Sequence, residues 1–394
     1  MNVILISPND RNNLENAGDR APLGVLYIAG ALEKGGHSVK IIDLNHDKVD
    51  DEITKFNPDF IGISFSTSQY YQAVNLCEFF KNIPDIKLIA GGVHPTVDPD
   101  SCYMFDYVIS GEGENIICDI VETSPKIKHI NGAPVVNLDN LSLPWHLLNM
   151  KRYNMEIDGV RTATLVTSRG CPGSCVFCSR LFGNEFRFAS AEWILKQIVH
   201  LWENYDYTSF YFYDDAFTAD KKRVIELCKL LKKEKHNFTF RLTSRADLIN
   251  EPIVKALASI GTKFVSLGIE HIDDKVLKMC GKRMKIADNL KAVELLHKYG
   301  IKVKGFFILN LPLATKSSVR KTINWAKKHL DYYDFYNLVA FPGTPIWKYR
   351  EKFGLNILSS DYGFWEAGKK LKYNIENPAV PNDYLNKILK RERQ

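Results

Sequence analysis

The sequence predicts an α/β protein in two parts, an open, doubly wound parallel sheet followed by an incomplete barrel of six strand–helix units. Three observations carry this expectation. From Met1 to about Asn140, short β-branched runs alternate with amphipathic segments, as βαβ units require. Residues 140–158 then show no sustained period. After them, strand and helix patterns alternate six times, in a chain of 394 residues that is long enough for two buried cores.

In order along the first part, strands are expected over residues 3–7, 39–43, 60–65, 87–90 and 107–110, with helices such as 23–34 and 70–81 between them. An open sheet of this kind binds ligands beyond the carboxyl ends of its strands. The loops at those ends are Ser64 to Gln69, which includes Ser66, then Gly91-Gly92-Val93-His94-Pro95, and Gly111-Glu112-Gly113-Glu114. Glycines there let a backbone approach a bulky ligand, although tight turns account for most glycines in such places. The connector contains Pro144. Strands are next expected over 163–168, 210–214, 238–243, 264–270, 303–309 and 335–341. Helices over 191–204, capped by Ser190, and over 219–233 lie among them. The expected division is a sheet domain over 1–140, a linker over 141–160, a barrel over 161–345 and a short extension over 346–394. Barrel chemistry belongs at the carboxyl ends of the strands.

Composition narrows the class. A 45% hydrophobic share with 25% charged residues reads as globular, and no apolar run approaches the roughly 20 residues that span a bilayer. With no signal-peptide pattern at the start, a cytoplasmic protein is expected. Cys77, Cys102, Cys118, Cys228 and Cys280 are scattered without a disulfide rhythm, in keeping with a reducing compartment. Cys280 reads as a packing residue, a hydrogen-atom donor being the alternative. The net charge of +6 is spread over helical segments such as residues 221–235, so a nucleic-acid partner is not expected.

The chemistry concentrates in Thr167-Ser168-Arg169-Gly170-Cys171-Pro172-Gly173-Ser174-Cys175-Val176-Phe177-Cys178, a loop after the first barrel strand. Soft thiolates select an iron–sulfur cluster or zinc over hard cations. A cubane normally takes four thiolates, so three leave one iron open to a chelating small molecule. The alternatives are a structural zinc knuckle or simple packing, but zinc sites come as paired half-sites and no second CxxC exists here.

This CxxxCxxC pattern, with Phe177 before the last cysteine, resembles the radical S-adenosylmethionine superfamily. Pro22-Leu23-Gly24, Gly35-Gly36-His37, Pro58-Asp59-Phe60-Ile61-Gly62 and the two glycine loops named above look like the cobalamin-binding domain that precedes many such enzymes. Asn140-Leu141-Ser142-Leu143-Pro144-Trp145 resembles the "LP" linker between the two. The resemblance implies a Rossmann-like sheet of cobalamin-binding type followed by a partial (β/α)6 radical S-adenosylmethionine barrel. It implies that Cys171, Cys175 and Cys178 hold a 4Fe-4S cluster. Asp214 or Asp215 would bind the methionine ammonium, with a helix cap as the competing role of Asp215. Arg245 would fork onto the methionine carboxylate, Ser244 would reach the ribose, Glu270 would face the same cavity, and Phe177 would neighbour the adenine. A structural hydrogen bond or ion pair is the alternative for Ser244, Arg245 and Glu270. Cobalamin would meet Ser64, Ser66, Gly91, Gly92, His94, Gly111, Glu112 and Gly113.

The implied activity is reductive cleavage of S-adenosylmethionine to a 5′-deoxyadenosyl radical, with methylcobalamin delivering a methyl group to an unactivated carbon. A radical cyclisation, rearrangement, oxidation or epimerisation without net methyl transfer is the second reading, and a non-catalytic cobalamin or redox sensor the third. The partners would be a small-molecule substrate and an electron donor such as flavodoxin or ferredoxin. Some departures stand out. The loop over residues 8–21 lacks the DxHxxG motif, and His46 reads as a surface residue instead of an equivalent of its histidine. Leu313 stands in Asn310-Leu311-Pro312-Leu313-Ala314-Thr315 where relatives commonly have glycine in "GLPGET", and the acidic residue is missing too. Only about fifty residues follow the sixth strand, among them Phe341-Pro342-Gly343-Thr344-Pro345 and the stretch from Tyr362 to Trp365, where such relatives often have a longer C-terminal region, so a compact or partly open pocket is expected.

Overall fold

The computed structural model describes residues 1–9, 17–49, 52–364 and 373–392. Residues 10–16 of the 8–21 loop, and Trp365, lie outside the described residues. The chain divides into two compact units, Met1–Met155 and Glu156–Gln394.

The first unit is a six-stranded parallel sheet of β1 (Asn2–Ser7), β2 (Ser38–Asp43), β3 (Phe60–Ser64), β4 (Lys87–Gly91), β5 (Tyr107–Gly111) and β6 (His129–Gly132), in the order β2-β1-β3-β4-β5-β6. Val3–Ile6 are buried on both faces, as the inner strand of a covered parallel sheet must be. Helices α1 (Leu23–Lys34), α2 (Glu52–Phe56), α3 (Tyr70–Phe80), α4 (Val93–Val97) and α5 (Ile117–Thr123) make the crossovers. One core packs Ile4, Ile6, Phe65, Phe80 and Phe105. The strand order reverses between β1 and β3, so the carboxyl ends of β1, β3 and their neighbours form the crevice where such sheets take ligands. β6 is an addition to the expected five strands. Its sequence, His-Ile-Asn-Gly, has no apolar run and an edge strand's exposure, so periodicity gave no sign of it.

The second unit is a curled half-barrel. Its strands are β7 (Glu156–Ile157), β8 (Val160–Leu165), β11 (Ser209–Phe212), β12 (Thr239–Ser244), β13 (Thr262–Glu270), β14 (Lys302–Ile308) and β15 (Tyr332–Tyr336), ordered β15-β14-β13-β12-β11-β8-β7. The last six are parallel. β7 is antiparallel, joined to β8 by a tight turn in which Asp158 and Gly159 both take positive φ, 51° and 77°. β7 and the turn lie in the stretch expected to be linker. β9 (Ser168–Arg169) and β10 (Arg187–Phe188) form a separate two-stranded ladder. Helices α6 (Ala191–Tyr205), α7 (Lys221–Lys233), α8 (Glu251–Ala258), α9 (Asp274–Met279), α10 (Ile286–Lys298) and α11 (Lys316–His329) separate the later strands, and α12 (Pro345–Lys348) and α13 (Asn382–Glu392) follow. Ser190 caps α6 as expected, accepting from Trp193 N at 3.0 Å. α7 starts two residues later than expected because Asp220 caps it, accepting from Arg223 N at 2.7 Å.

The sixth parallel strand also differs. It ends at Tyr336, and the apolar run Leu338–Ala340, though buried, pairs with asparagine side chains instead of a neighbouring strand. Asn310 Oδ1 accepts from Leu338 N at 2.5 Å, and Asn374 both accepts from Ala340 N and donates to its carbonyl. Burial satisfied this way leaves the same apolar signature as a strand.

Leu313 adopts φ 66° and leaves its side chain 54% exposed. The left-handed region costs an L-residue about 1–2 kcal/mol, and a side chain more than half exposed offsets only part of that. Leu313→Gly is therefore expected to stabilise the protein by about 1 kcal/mol, allowing for glycine's own entropy in the unfolded chain. The midpoint of urea unfolding measures this; an unchanged or lower midpoint would refute the strain.

Candidate active site

The cysteine loop is held at its base and along its length. β9 and β10 pair across its two ends, and Ala189 N donates to Thr167 O at 2.9 Å. Within it, Val176 N donates to Cys280 O and Ile346 N donates to Val176 O, both at 3.0 Å. Gly281, φ 70°, passes so close beneath that a Cβ there would lie 2.6 Å from Ser174 O and 3.8 Å from the Cα of Cys175. Only glycine permits that approach.

Of the three cysteines, Cys175 is buried, Cys171 half-buried and Cys178 exposed. Burial raises the Cys175 thiol, against the pull of Lys282 and Arg245. Cys178 is open to solvent yet ringed by protein, which raises its thiol too, and Asp215 and the other two cysteines add to the effect. These shifts hold the two thiols neutral in the absence of a metal, and a bound metal would deprotonate them outright. Among the described residues no three His, Cys, Asp or Glu side chains converge on one ion position. A cubane makes no such demand, because each thiolate binds a different iron.

Asp214 and Asp215 part company. Asp214 is buried, and its carboxylate accepts from Thr167 N at 2.9 Å, from Thr167 Oγ1 at 3.0 and 3.2 Å, and from Ser168 Oγ. Burial raises its pKa, while Arg223 and these donors oppose the rise. Asp214 thus anchors the backbone entering the cysteine loop and is not available to an ammonium group. Thr167 stands between two charges, for Arg223 Nη1 donates to its carbonyl at 3.0 Å. Arg223 Nη2 donates to Phe217 O at 2.7 Å, and its guanidinium lies 5.0 to 6.0 Å from the rings of Phe217, Phe188 and Phe186. Asp215 is accessible, with neither an ion pair nor a capped helix among the described residues. Of the two, Asp215 is the carboxylate left open at the surface.

Other expected residues also move. Ser244 shares the helix-facing side of β12 with Phe240 and Leu242, and it hydrogen-bonds Thr218. It does not face the barrel's interior. Arg245 already forks onto Asp247, at 3.0 and 2.8 Å, so a carboxylate fork is not free. Its Nη1 instead lies 2.5 Å from where a Cβ would stand at Gly173 in the cysteine loop. Glu270 ends β13 at φ 68° and pairs with the buried Lys282 at 3.0 Å. Lys282 Nζ also donates to Gly268 O. Phe177 is half-buried in the loop. Cys280 is fully buried, its thiol pushed up to about 12 by that burial, in accord with packing.

In the sheet unit, Ser64, Ser66, Gly91, Gly92, Gly111 and Gly113 lie at or just past the ends of β3, β4 and β5. A Cβ at Gly91 would meet nothing within 4 Å, whereas at Gly92, Gly111 and Gly113 it would meet Ser64, Gly132 and Ile28. The open backbone at Gly91 is the one glycine cradle of this set that suits a large flat ligand. His94 is a correction, because its ring is fully buried between Thr67 Oγ1 at 3.1 Å and Ser101 Oγ at 2.9 Å and stacks on Phe65. Burial lowers its pKa to about 4. It pins the loops after β3 and β4 together and cannot reach a ligand. Glu112 is buried as well, accepting from Val135 N at 3.0 Å. Ser66 is tied to its own turn by Gln69, whose Oε1 accepts from Ser66 N at 2.8 Å. His46 is half-buried, edge-on to Tyr153 at 5.2 Å, and not a plain surface residue.

An open sheet whose strand order reverses after β1, followed by a half-barrel with three cysteines beyond its first parallel strand, defines a two-part radical enzyme. Comparison with known proteins agrees. The Radical SAM superfamily model matches residues 165–326, and the B12 binding domain model residues 13–121. The chain is 32% identical over 383 residues to an uncharacterized methyltransferase, PH0819, of Pyrococcus horikoshii, covering 89% of this chain and 83% of that one. It is 26% identical to an anaerobic magnesium-protoporphyrin IX monomethyl ester cyclase of Rubrivivax gelatinosus, over 98% and 75% of the two chains. Among solved structures, the radical S-adenosylmethionine methyltransferase TsrM of Kitasatospora setae superposes with TM-score 0.73 at 15% identity, covering 91% and 79%, a likeness of fold. The chain belongs to the radical S-adenosylmethionine enzymes that carry a cobalamin-binding domain. Its cofactors are those of the family: a 4Fe-4S cluster and S-adenosylmethionine for the barrel, cobalamin for the sheet. No helix among the described residues is long and apolar enough to cross a membrane.

Proposed function

We propose that the protein is a cobalamin-dependent methyltransferase acting on an unactivated carbon of a small molecule. The observation that carries this reading is the 32% identity to a methyltransferase across both parts of the chain. Cys171, Cys175 and Cys178 would hold the cluster and Asp215 the methionine ammonium. Asp214, Arg223 and Thr167 fix the loop that presents the cysteines, and Lys282 and Arg245 place positive charge beside Cys175. The open backbone at Gly91 would accept cobalamin. When bound, these groups supply the electron for S-adenosylmethionine cleavage and the methyl group for transfer, and the protein supplies position and a dry cavity. An external one-electron donor of the flavodoxin or ferredoxin type completes the cycle.

The 26% identity to a cyclase favours a second reading, radical oxidation or cyclisation without net methylation. One assay separates the two. Enzyme reconstituted anaerobically with iron, sulfide and hydroxocobalamin is given S-adenosylmethionine with a deuterated methyl group and an extract of candidate substrates. A product carrying the label is expected; 5′-deoxyadenosine formed without any labelled product would replace methyl transfer with the second reading.

A further inference from the structure

Alternate residues of the barrel strands face its concave side, among them Tyr211, Arg241, Thr243, Ser266 and Lys304. The cations there have carboxylate partners, with one exception. Lys304 pairs with Asp334 at 2.7 Å, Lys302 with Asp158 at 3.9 Å, and Arg245 with Asp247 at 2.8 Å. Arg241 pairs with no carboxylate among the described residues. Its Nε and Nη2 both donate to the hydroxyl of Ser266, at 3.3 and 3.1 Å, and its Nη1 makes no hydrogen bond to any described residue. The guanidinium stands 4.5 Å from the ring of Tyr211, whose hydroxyl is fixed by Thr243 at 2.9 Å.

Register places this group in depth. Thr243 and Ser266 are opposite each other, so a guanidinium bonded to Ser266 sits level with Thr243, two residues below Arg245. That is about 7 Å beneath Arg245, the residue just past the end of β12 (Thr239–Ser244) whose guanidinium lies against Gly173 of the cysteine loop. Tyr213, 49% exposed, meets Tyr211 edge-on at 5.1 Å. A half-buried charge without a counter-ion is costly, and a stacked, partly bonded guanidinium with a free edge has the geometry that grips a planar or tetrahedral oxyanion.

We propose that Arg241, backed by Tyr211 and Tyr213, is a substrate subsite for an oxyanion attached to an apolar or aromatic body. This deepens the reading of the barrel as acting on a small molecule and rests on it. Benzoate and phenyl phosphate serve as probes, one for each source of the oxyanion, with benzyl alcohol as the neutral control. Titration calorimetry on the reconstituted holoenzyme is expected to show binding of one oxyanion and not of the alcohol. Affinity should fall about tenfold or more in Arg241→Gln, as loss of a charged hydrogen bond entails, and recover in part in Arg241→Lys. Iron content and melting temperature of each variant establish that it folds. Failure of wild type to bind either oxyanion, or equal binding by Arg241→Gln, overturns the subsite. The labelled-methyl assay on wild type decides the reaction separately, so either idea can fail while the other stands.

Discussion

Cys175→Ala protein is expected to fold and to form no 5′-deoxyadenosine from S-adenosylmethionine under reducing, anaerobic conditions. The loop keeps its shape without that sulfur, since β9 and β10 hold its base and the amide and carbonyl of Val176 are held by Cys280 and Ile346. Two remaining thiolates are too few to retain a cubane with one open iron. Iron per chain and deoxyadenosine by mass spectrometry are the measurements. Deoxyadenosine at wild-type yield from the variant would show that the cleavage does not depend on a cluster held by this loop.

Arg223→Met carries the largest expected loss of stability. Methionine roughly matches the arginine stem and keeps contact with Phe217, Phe188 and Phe186. What it removes is the charge opposing the buried Asp214 and the donors to Thr167 and Phe217 carbonyls. A buried charge stripped of its partner costs about 3–5 kcal/mol. Urea unfolding of the apoprotein reads this directly, and the Asp214→Asn, Arg223→Met double variant should recover part of the loss. A loss below about 0.5 kcal/mol, within the range of an ordinary surface change, would show that the two charges do not depend on each other.

Both predictions turn on residues of unequal visibility. The cysteines were legible because three soft ligands at fixed spacing have few other uses. The parallel strands were legible because burial on both faces leaves β-branched runs. Arg223 was not, since Lys221-Lys222-Arg223 reads as a solvated helix face and only the fold turns the third cation inward. Lys282 was hidden likewise, its ion pair with Glu270 formed by a turn that no periodicity announces. Asp214 and Asp215 are adjacent and chemically identical, so their division of labour depended on side-chain direction alone. The Arg245 pair with Asp247 could have been noticed, being only two residues apart. His94 misled for the opposite reason, a polar residue beside strand-end glycines that serves the core.

The fastening of Val176 has a bearing on how the enzyme is made. The cysteines emerge from the ribosome well before Cys280 and Ile346, the segments that hold their loop from either side. At typical synthesis rates the gap between Cys178 and Ile346 is roughly 10 to 30 s. During that interval the thiols belong to a nascent chain whose grip on a cluster is unfinished, and they are open to oxygen and to stray metals. The fully fastened loop therefore exists only once residue 346 has been made, and a cluster is expected to be held there only from that point on.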